Sequence, residues 1–350
     1  TRVVEAFKWG FLAAGIAMLI GTISFYFLKN KFIVNPKGEA IGTRPQFSEV
    51  EIEKTETEKA DFGTKSIIIS LLVFSGFVTF FHLMFQTAEP NVIKDWIYPV
   101  IYSAGISLAF LIMTDKTITK VERDRMFVLY IICFFVIFFW AAFEQAGSSL
   151  TFIADQQTDL HIFGIELPPS SIQNANSFFI IFLAFPFSWL WMKLQKRNLE
   201  PNSPTKQSLG LFFLSLGYLI IALRVKDLGT DKMNVIWLII LYLLQTMGEL
   251  CLSPIGLSLV AKLAPKRFSS LLMGVWFLAN AAGYALSGTL GALLPPNSIT
   301  NTTHLPSFLG FTIHNLYEFF MVFVILTGIA AIILYFLSIG PLKRMMHGLK

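Results

Sequence analysis

Long apolar stretches alternate with short polar ones along most of this chain. A membrane-spanning helix needs about 20 predominantly apolar residues, and the apolar stretches of roughly that length are residues 9–28, 66–86, 96–113, 126–148, 173–192, 207–224, 234–261, 268–294 and 314–339. None shows the period-two alternation of an outer-membrane barrel strand. The pattern therefore predicts an all-α polytopic membrane protein with these stretches as its spans.

Composition supports this prediction. Of the 350 residues, 55% are apolar and 14% are charged, whereas soluble domains carry about 25% charged residues. The net charge of +5 comes from basic residues that cluster between the spans, so we interpret them as topology signals and expect no nucleic-acid partner.

The basic residues also predict the orientation of the helices. Segments 114–125, 193–206, 262–267 and the C-terminal tail hold fourteen Lys and Arg residues, against three in and beside the intervening loops. Because positive loops stay in the cytoplasm, we expect a cytoplasmic C-terminus and a multi-pass protein of the cell membrane, most simply a bacterial inner membrane.

Residues 29–65 interrupt the alternation of spans. They are polar and of mixed charge, and they separate the first apolar stretch from the others. We expect a solvated cytoplasmic linker that joins two membrane bundles. The next two stretches, joined by a short loop, predict a helical hairpin; it lacks buried carboxylates or paired polar residues, so its expected role is peripheral.

Two glutamates provide the strongest indication of chemistry. Glu144 and Glu249 lie inside apolar stretches that contain no lysine or arginine beside them. A carboxylate at membrane depth costs roughly 2.5–3.5 kcal/mol even on a lenient insertion scale, so such residues usually face a cavity and act there. The charge that neutralises them is expected to be a proton, a ligand or another part of the protein.

The surroundings of the two glutamates differ. Gln245, Glu249 and Ser253 share one helix face at four-residue spacing, and Pro254 follows at once; a carboxylate beside a helix irregularity is typical of a transporter site. The alternative is that Glu249 forms a salt bridge to a neighbouring helix and serves packing alone. Glu144 lies one turn after Trp140. The alternative to a functional role for Glu144 is an interfacial position from which its side chain reaches headgroup water.

Further candidates lie on neighbouring spans. Asn176 either faces a cavity or helps to cap its helix. One helix face carries residues at four-residue spacing: Trp276, Asn280 and Tyr284. This face either lines a pore or packs against another helix. The opposite stripe has small side chains that predict close helix packing: Ala279, Gly283, Ser287 and Gly291.

Motifs typical of enzymes are not found in the sequence. It contains no phosphate-binding loop, no HExxH and no metal-type Cys/His spacing. We therefore expect no enzyme and no cofactor. A polytopic enzyme acting on lipids stays a weaker alternative; it requires Glu144, Asp155 and His161 to converge around a metal ion.

Three stretches resemble a known family: FFWAAFEQAGSSLTFIADQQTD, IQNANSFFIIFLAFPFSWLW and QTMGELCLSPIGLSLVAKLAPKRFSSLLMGVWFLANAAGYALSG. They resemble the proton-dependent oligopeptide transporter family of the major facilitator superfamily. The resemblance implies four segments: residues 1–28, the last helix of an N-terminal bundle; 29–65, the linker; 66–113, an inserted transmembrane hairpin; and 114–350, the C-terminal six-helix transport bundle.

The resemblance also implies roles for single residues. Glu144 resembles the proton-coupling glutamate that pairs with an arginine of the first helix. Glu249 resembles the glutamate that binds the peptide amino terminus and pairs with a lysine of the fourth helix. Asn176 resembles an asparagine that contacts the peptide backbone, and Trp140 and Trp276 resemble pocket aromatics, with Asn280 and Ser253 as further pocket candidates.

The implied function is symport of di- and tripeptides with protons across a lipid bilayer, driven by the proton gradient. The family's N-terminal bundle, with its ExxERFxYY signature and its Arg and Lys partners, is not in this sequence. Because the chain begins at Thr1 without methionine, we expect a segment of a longer protein that does not transport alone. The alternative is another carrier of the superfamily, for nitrate, amino-acid conjugates or drugs.

Overall fold

The structure is a computed structural model. It describes residues 2–34, 60, 62–86, 91–162, 164–226, 228, 231–295, 305–308 and 310–349. Most of the predicted linker, residues 35–59, lies outside the described residues. Contacts divide the chain into two units, residues 1–59 and 60–350, and each unit is described by itself.

The described residues are mostly α-helical, as the sequence predicts. The helices are α1 (Arg2–Phe32), α2 (Thr64–Phe85), α3 (Tyr98–Met113), α4 (Lys120–Phe143), α5 (Ser149–Gln157), α6 (Asn174–Lys196), α7 (Ser203–Val225), α8 (Ile236–Leu263), α9 (Ser269–Gly291), α10 (Leu316–Ile339) and α11 (Pro341–Met345). A π-helical turn spans Ile93–Ile97, and 3₁₀ turns span Glu144–Gly147, Pro169–Ser171 and Lys266–Phe268.

Short strands occur only in the connections of this described helical framework. They are β1 (Thr158–Asp159), β2 (His161–Ile162), β3 (Ile165–Glu166), β4 (Met233–Asn234), β5 (Ser307–Phe308) and β6 (Phe311–Thr312). β1 pairs with β4 in parallel, and β2–β3 and β5–β6 are antiparallel. They fix loop geometry outside the helices.

The nine predicted spans are confirmed. Within the described residues, nine helical segments are long and apolar enough to cross a membrane, and each overlaps one predicted apolar stretch. In the first unit, α1 is one such segment; it ends with Lys29 and Lys31 in its last turn. The other eight belong to the second unit.

Helix α7 is central to the second unit. It packs between α8 and α10, while α4 contacts α9 and α10, and α6 contacts α8. Tyr218 of α7 is fully buried and stacks on Phe323 of α10 with ring centroids 5.0 Å apart. This dense interior makes α7 a fixed support against which α8 is positioned.

α7 and α8 approach each other closely at two glycines. A Cβ atom added to Gly210 would lie 2.8 Å from the Gly248 carbonyl oxygen, and one added to Gly248 would lie 2.7 Å from the Gly210 carbonyl oxygen. Only glycine permits this contact between backbones, which is how small residues join membrane helices. It positions the part of α8 that carries Glu249.

The hairpin of α2 and α3 contains more polar structure than its sequence predicts. Ser70 and Ser107 pair through their hydroxyl groups at 2.8 Å, and Asp95 is buried beside His82, which stacks on Trp96. The prediction that the hairpin lacks buried carboxylates and paired polar residues is therefore wrong. The residues concerned lie far apart in sequence or just outside the apolar stretches, where pattern alone could not pair them.

The basic loops meet at one end of the second unit, which we call the basic end: residues 114–125, 193–206, 262–267 and 340–349. Thr119 caps α4 through a capping box with Glu122, and Arg267 binds both carboxylate oxygens of Glu122 at 2.8 and 3.0 Å. His347 contacts Asp124 at 2.7 Å. Bidentate pairing gives this end a defined geometry.

Candidate functional site

Glu249 lies on α8 and is held by a side chain of α6. The Nδ2 atom of Asn176 donates hydrogen bonds to Glu249 Oε2 and to Thr246 Oγ1, both at 3.0 Å. The Thr246 hydroxyl in turn donates to the carbonyl oxygen of Tyr242 at 2.7 Å. Because that hydroxyl proton is engaged, Thr246 can only accept from Asn176, and this orients the amide nitrogen of Asn176 towards Glu249.

Glu144 lies where two helices meet. α4 ends at Phe143, the 3₁₀ turn Glu144–Gly147 follows, and α5 begins at Ser149. Glu144 is partly buried and borders a cavity of about 310 Å³ together with residues of α6 and α8, among them Asn176, Tyr242 and Gln245. The interruption of the helix thus directs a carboxylate to the cavity wall.

The two carboxylates are linked through one side chain. Asn176, whose amide donates a hydrogen bond to Glu249, borders the same cavity as Glu144. Throughout the part of the chain that the structure describes, neither glutamate forms an ion pair with a basic side chain.

Gln145 is a residue of the site that the sequence did not reveal. It is fully buried, and its Nε2 atom donates to the Ser287 carbonyl and hydroxyl oxygens of α9 at 2.9 Å each. Its Oε1 atom accepts from the hydroxyls of Ser149 at 2.6 Å and Ser148 at 3.3 Å. The turn that carries Glu144 is thereby fastened to α9. The neighbouring serines Ser148 and Ser149 were the only signal of this role in the sequence.

Gln245 faces into the bundle core. It is fully buried, and its Nε2 atom donates to the Tyr218 hydroxyl at 3.3 Å, which donates to the Ala142 carbonyl oxygen at 2.6 Å. α8, α7 and the end of α4 are therefore joined by polar contacts. Of the predicted face of Gln245, Glu249 and Ser253, Gln245 makes this core contact and also lines the cavity beside Glu144, whereas partly buried Ser253 does not line that cavity.

The aromatic candidates have different surroundings. Trp140 packs edge-to-face against Phe143 and Tyr284, with centroids 5.3 and 5.7 Å away, so it stands next to the Glu144 turn. Trp276 is 2% exposed and packs directly on Gly256 of α8, where an added Cβ would lie 2.1 Å from its ring. The structure therefore places Trp276 in the α8–α9 contact and outside the cavity beside Glu144.

Asn280 and the small-residue stripe lie on α9. Asn280 is partly buried, and its Oδ1 atom has no hydrogen-bond partner among the described residues; it is not part of the cavity beside Glu144. A Cβ on Gly283 would lie 2.6 Å from the Trp140 Cβ atom, and Gly291 borders Gln145. The prediction that this stripe packs closely is confirmed.

The metal arrangement required by an enzyme is not formed by the residues described. His161 contacts Asp159, with Nδ1 and Oδ1 2.7 Å apart, rather than Asp155 or Glu144. No group of three His, Cys, Asp or Glu side chains in the described ranges is placed to hold a metal ion. The hypothesis of a lipid-modifying enzyme gains no support from this geometry.

Membrane-spanning helices packed beside a cavity that is bordered by Glu144 and by Asn176, the partner of Glu249, are typical of one class, the polytopic membrane transporters. The family model described as the POT family matches residues 2–304, and the chain belongs to this family. Its relatives include an uncharacterized transporter, YclF, of Bacillus subtilis, 33% identical over 81% of this chain and 54% of that protein. Peptide transporter YePEPT of Yersinia enterocolitica is 30% identical over 82% of this chain and 55% of that protein.

Solved structures agree with this membership. A mutant of peptide transporter POT in complex with alafosfalin has a TM-score of 0.65 and 28% identity, covering 98% of this chain and 62% of that one. A POT family transporter in complex with 5-aminolevulinic acid has a TM-score of 0.66 and 26% identity; the match covers 96% of this chain and 63% of that one. The chain spans about half the length of the curated relatives it matches.

Proposed function

We propose that this chain is part of a symporter that carries di- and tripeptides into the cell together with protons. The observation that carries the proposal is the contact between Asn176 and Glu249 beside a cavity that Glu144 also borders. A carboxylate held by a neutral amide keeps its negative charge available for a cation. The ammonium group of a peptide is a cation of suitable size and charge.

Glu144 is the proposed proton-coupling residue. Its carboxylate has no hydrogen-bond or ion-pair partner among the described residues, and it lies on a turn between two helices. A carboxylate that alternates between a protonated state and an ion pair can bind one proton in each cycle. The proposed partner is an arginine of an N-terminal bundle, whose release on protonation permits the two bundles to move apart.

The proposed organisation follows the predicted segments. Residues 1–28 complete an N-terminal bundle, 29–65 form a cytoplasmic linker, 66–113 form the inserted hairpin and 114–350 form the transport bundle. The basic end then faces the cytoplasm together with the C-terminus, in a cell membrane that we propose to be a bacterial inner membrane. Arg and Lys residues of the N-terminal bundle complete the site, and Trp140, Trp276, Asn280 and Ser253 are secondary pocket candidates.

The test is uptake of a labelled dipeptide into proteoliposomes that contain the full-length protein and carry an inward proton gradient. Glu249→Gln keeps the size of the side chain and removes its charge, so uptake is expected to fall to the level of empty liposomes. Glu166→Gln changes an exposed glutamate of β3 and is the matched control. Wild-type uptake by Glu249→Gln would remove Glu249 from the mechanism.

A second cargo class is favoured by one comparison. One similar solved structure holds 5-aminolevulinic acid, which carries an amino group and a carboxyl group without a peptide bond. Competition of labelled dipeptide uptake by unlabelled dialanine, 5-aminolevulinic acid and nitrate separates the classes. Competition by dialanine supports the peptide assignment, and competition by nitrate alone contradicts it.

A further inference from the structure

Helix α3 of the hairpin packs along α9. Among the described helices, α9 contacts α4 most extensively and α3 second, and its contact with α8 is smaller than either. The hairpin is therefore a direct neighbour of the helix that packs on the Glu144 turn.

Two tyrosines of α3 approach the backbone of α9. A Cβ atom added to Gly288 would lie 2.7 Å from the Tyr98 hydroxyl oxygen. Gly288 is otherwise exposed, so Tyr98 is the described neighbour that such an atom meets. Further along α9, the Tyr102 hydroxyl lies 3.4 Å from the Ala282 carbonyl oxygen. Small residues permit this close approach of a neighbouring helix.

The residue next to Gly288 holds the Glu144 turn from the other side of α9. Ser287 accepts two hydrogen bonds from Gln145 Nε2, one at its carbonyl and one at its hydroxyl oxygen, both at 2.9 Å. A shift of α9 at Gly288 therefore acts on the contact that fastens the turn.

The same arrangement recurs at Ala282. The next residue, Gly283, is so close to α4 that an added Cβ atom would lie 2.6 Å from the Trp140 Cβ atom. At both levels α9 lies between a tyrosine of the hairpin and the segment that carries Glu144. Because the intervening residues are small, little side chain is available there to absorb a displacement.

The hairpin is itself held in place. The Tyr102 ring packs against Phe81 and Phe85 of α2, with centroids 5.4 and 5.8 Å away. At the inner end, Phe62 precedes α2 and lies 5.8 Å from the ring of the fully buried Phe268, which directly precedes α9. The hairpin thus contacts α9 at the outer half and also at its start.

We propose that the hairpin supports α9, in place of the peripheral role expected from its sequence, and that Tyr98 and Tyr102 are positioning residues for the Glu144 turn. Neither tyrosine lines the cavity beside Glu144, so both act through α9 and not by touching a substrate. In treating this turn as part of the transport site, the inference rests on the proposed function.

The test adds one atom at the contact and then makes room for it in the full-length protein. Gly288→Ala places a Cβ atom 2.7 Å from the Tyr98 hydroxyl oxygen. With Tyr98→Phe in addition, the nearest remaining atom is Cζ of that ring at 3.9 Å, an ordinary van der Waals distance. Gly274→Ala is the matched control, because nothing lies within 4 Å of a Cβ atom at this position of α9.

A spin label on Gly147→Cys reports the mobility of the turn without any cargo. Gly147 is exposed and borders the cavity, and an added Cβ atom has nothing within 4 Å. Cys133 and Cys251 are buried, and protein without Gly147→Cys measures background labelling. Gly288→Ala is expected to increase the mobile component of the spectrum. The double variant and Gly274→Ala should match the parent.

Proton-driven dipeptide uptake by Gly288→Ala, without the spin label, is expected to fall about ten-fold and to recover in the double variant, since displacing a functional group by about 1 Å can cost about 100-fold in rate. Tyr98→Ala removes the contact without adding an atom and should also mobilise the label, which keeps the test decisive even if Gly288→Ala does not fold.

Identical spectra for Gly288→Ala, Tyr98→Ala and Gly274→Ala would overturn the proposal, as would a change in Gly288→Ala that Tyr98→Phe does not reverse. A mobilised label with unchanged uptake would support the positioning role of the hairpin. It would contradict the proposed role of the Glu144 turn in transport, so the two failures are distinguishable.

Discussion

Asn176 of α6 holds the carboxylate of Glu249 of α8 through one hydrogen bond of 3.0 Å. α6 has no fully buried side chain, and its main contact within the second unit is with α8. The position of α6 is therefore tied to the state of one carboxylate. A ligand that engages Glu249 also acts on the amide that joins these two helices.

Asn176→Ala is expected to raise the peptide KM about ten-fold in the full-length protein. A hydrogen bond to a charged group contributes about 1.5–3 kcal/mol, and the variant leaves Glu249 without its donor. Uptake kinetics in proteoliposomes measure the effect. Thr246→Val keeps the shape of Thr246 but removes the acceptor that orients Asn176, so a smaller increase is expected. An unchanged KM in Asn176→Ala would show that the contact has no role in binding.

Glu144→Gln is expected to separate transport from its proton coupling. The glutamine imitates a protonated carboxyl group and cannot exchange a proton, so gradient-driven accumulation should be lost while exchange of peptide for peptide continues. Accumulation with an inward proton gradient, and counterflow without one, measure the two processes. Loss of both in a folded variant would indicate that Glu144 binds substrate instead. Asp155→Asn, an exposed change on α5, is the control.

Much of the fold could be predicted because the lipid environment restricts the possible structures. A helix satisfies its own backbone groups, so a sufficiently long apolar stretch determines both the element and its approximate ends. Glu144 and Glu249 were recognisable for the same reason, since charge without a neighbouring cation is conspicuous there. The stripe of Gly283, Ser287 and Gly291 could also be recognised from the sequence, because close helix packing requires small side chains.

The remaining features depend on contacts between distant residues. Trp276 packs on Gly256, a contact that follows from the rotation of α9 against α8 and not from either sequence alone. The Gln145 amide joins Ser287 across 142 positions. An apolar pattern shows which residues avoid water, but it does not show which polar groups meet each other.

Gln145→Leu is expected to loosen the Glu144 turn and destabilise the protein by about 1–3 kcal/mol. It removes the amide and leaves the buried hydroxyls of Ser149 and Ser287 without a partner. In a double-mutant cycle with Ser287→Ala, the coupling is expected to be about 0.6 kcal/mol and at most about 1.7 kcal/mol, the range found between membrane helices.

Unfolding of the purified protein in detergent measures these free energies. Gln156→Leu is the matched control, since Gln156 is exposed and its side chain donates a hydrogen bond to the neighbouring Asp155 in the described structure. Its expected effect is within about 0.5 kcal/mol. Additive effects of Gln145→Leu and Ser287→Ala would show that the two residues do not cooperate.

Gly248→Ala and Gly274→Ala are expected to change stability in opposite directions. Alanine favours a helix over glycine by about 1 kcal/mol, and nothing lies within 4 Å of a Cβ atom at Gly274 of α9, so this variant should be slightly more stable. At Gly248 the new atom would lie 2.7 Å from the Gly210 carbonyl oxygen. Backbone cannot rotate away as a side chain does, so α7 and α8 must separate, at a cost of about 1–3 kcal/mol.

The same separation should reach the site, because Glu249 follows Gly248 directly on α8. Gly248→Ala is therefore expected to lower the unfolding temperature in detergent and also to raise the peptide KM, whereas Gly274→Ala should leave the KM unchanged. Gly210→Ala approaches the same contact from α7, without touching the helix that carries Glu249. If Gly210→Ala changes the KM as Gly248→Ala does, the spacing between these helices controls the carboxylate; if only Gly248→Ala does, the effect is local to α8.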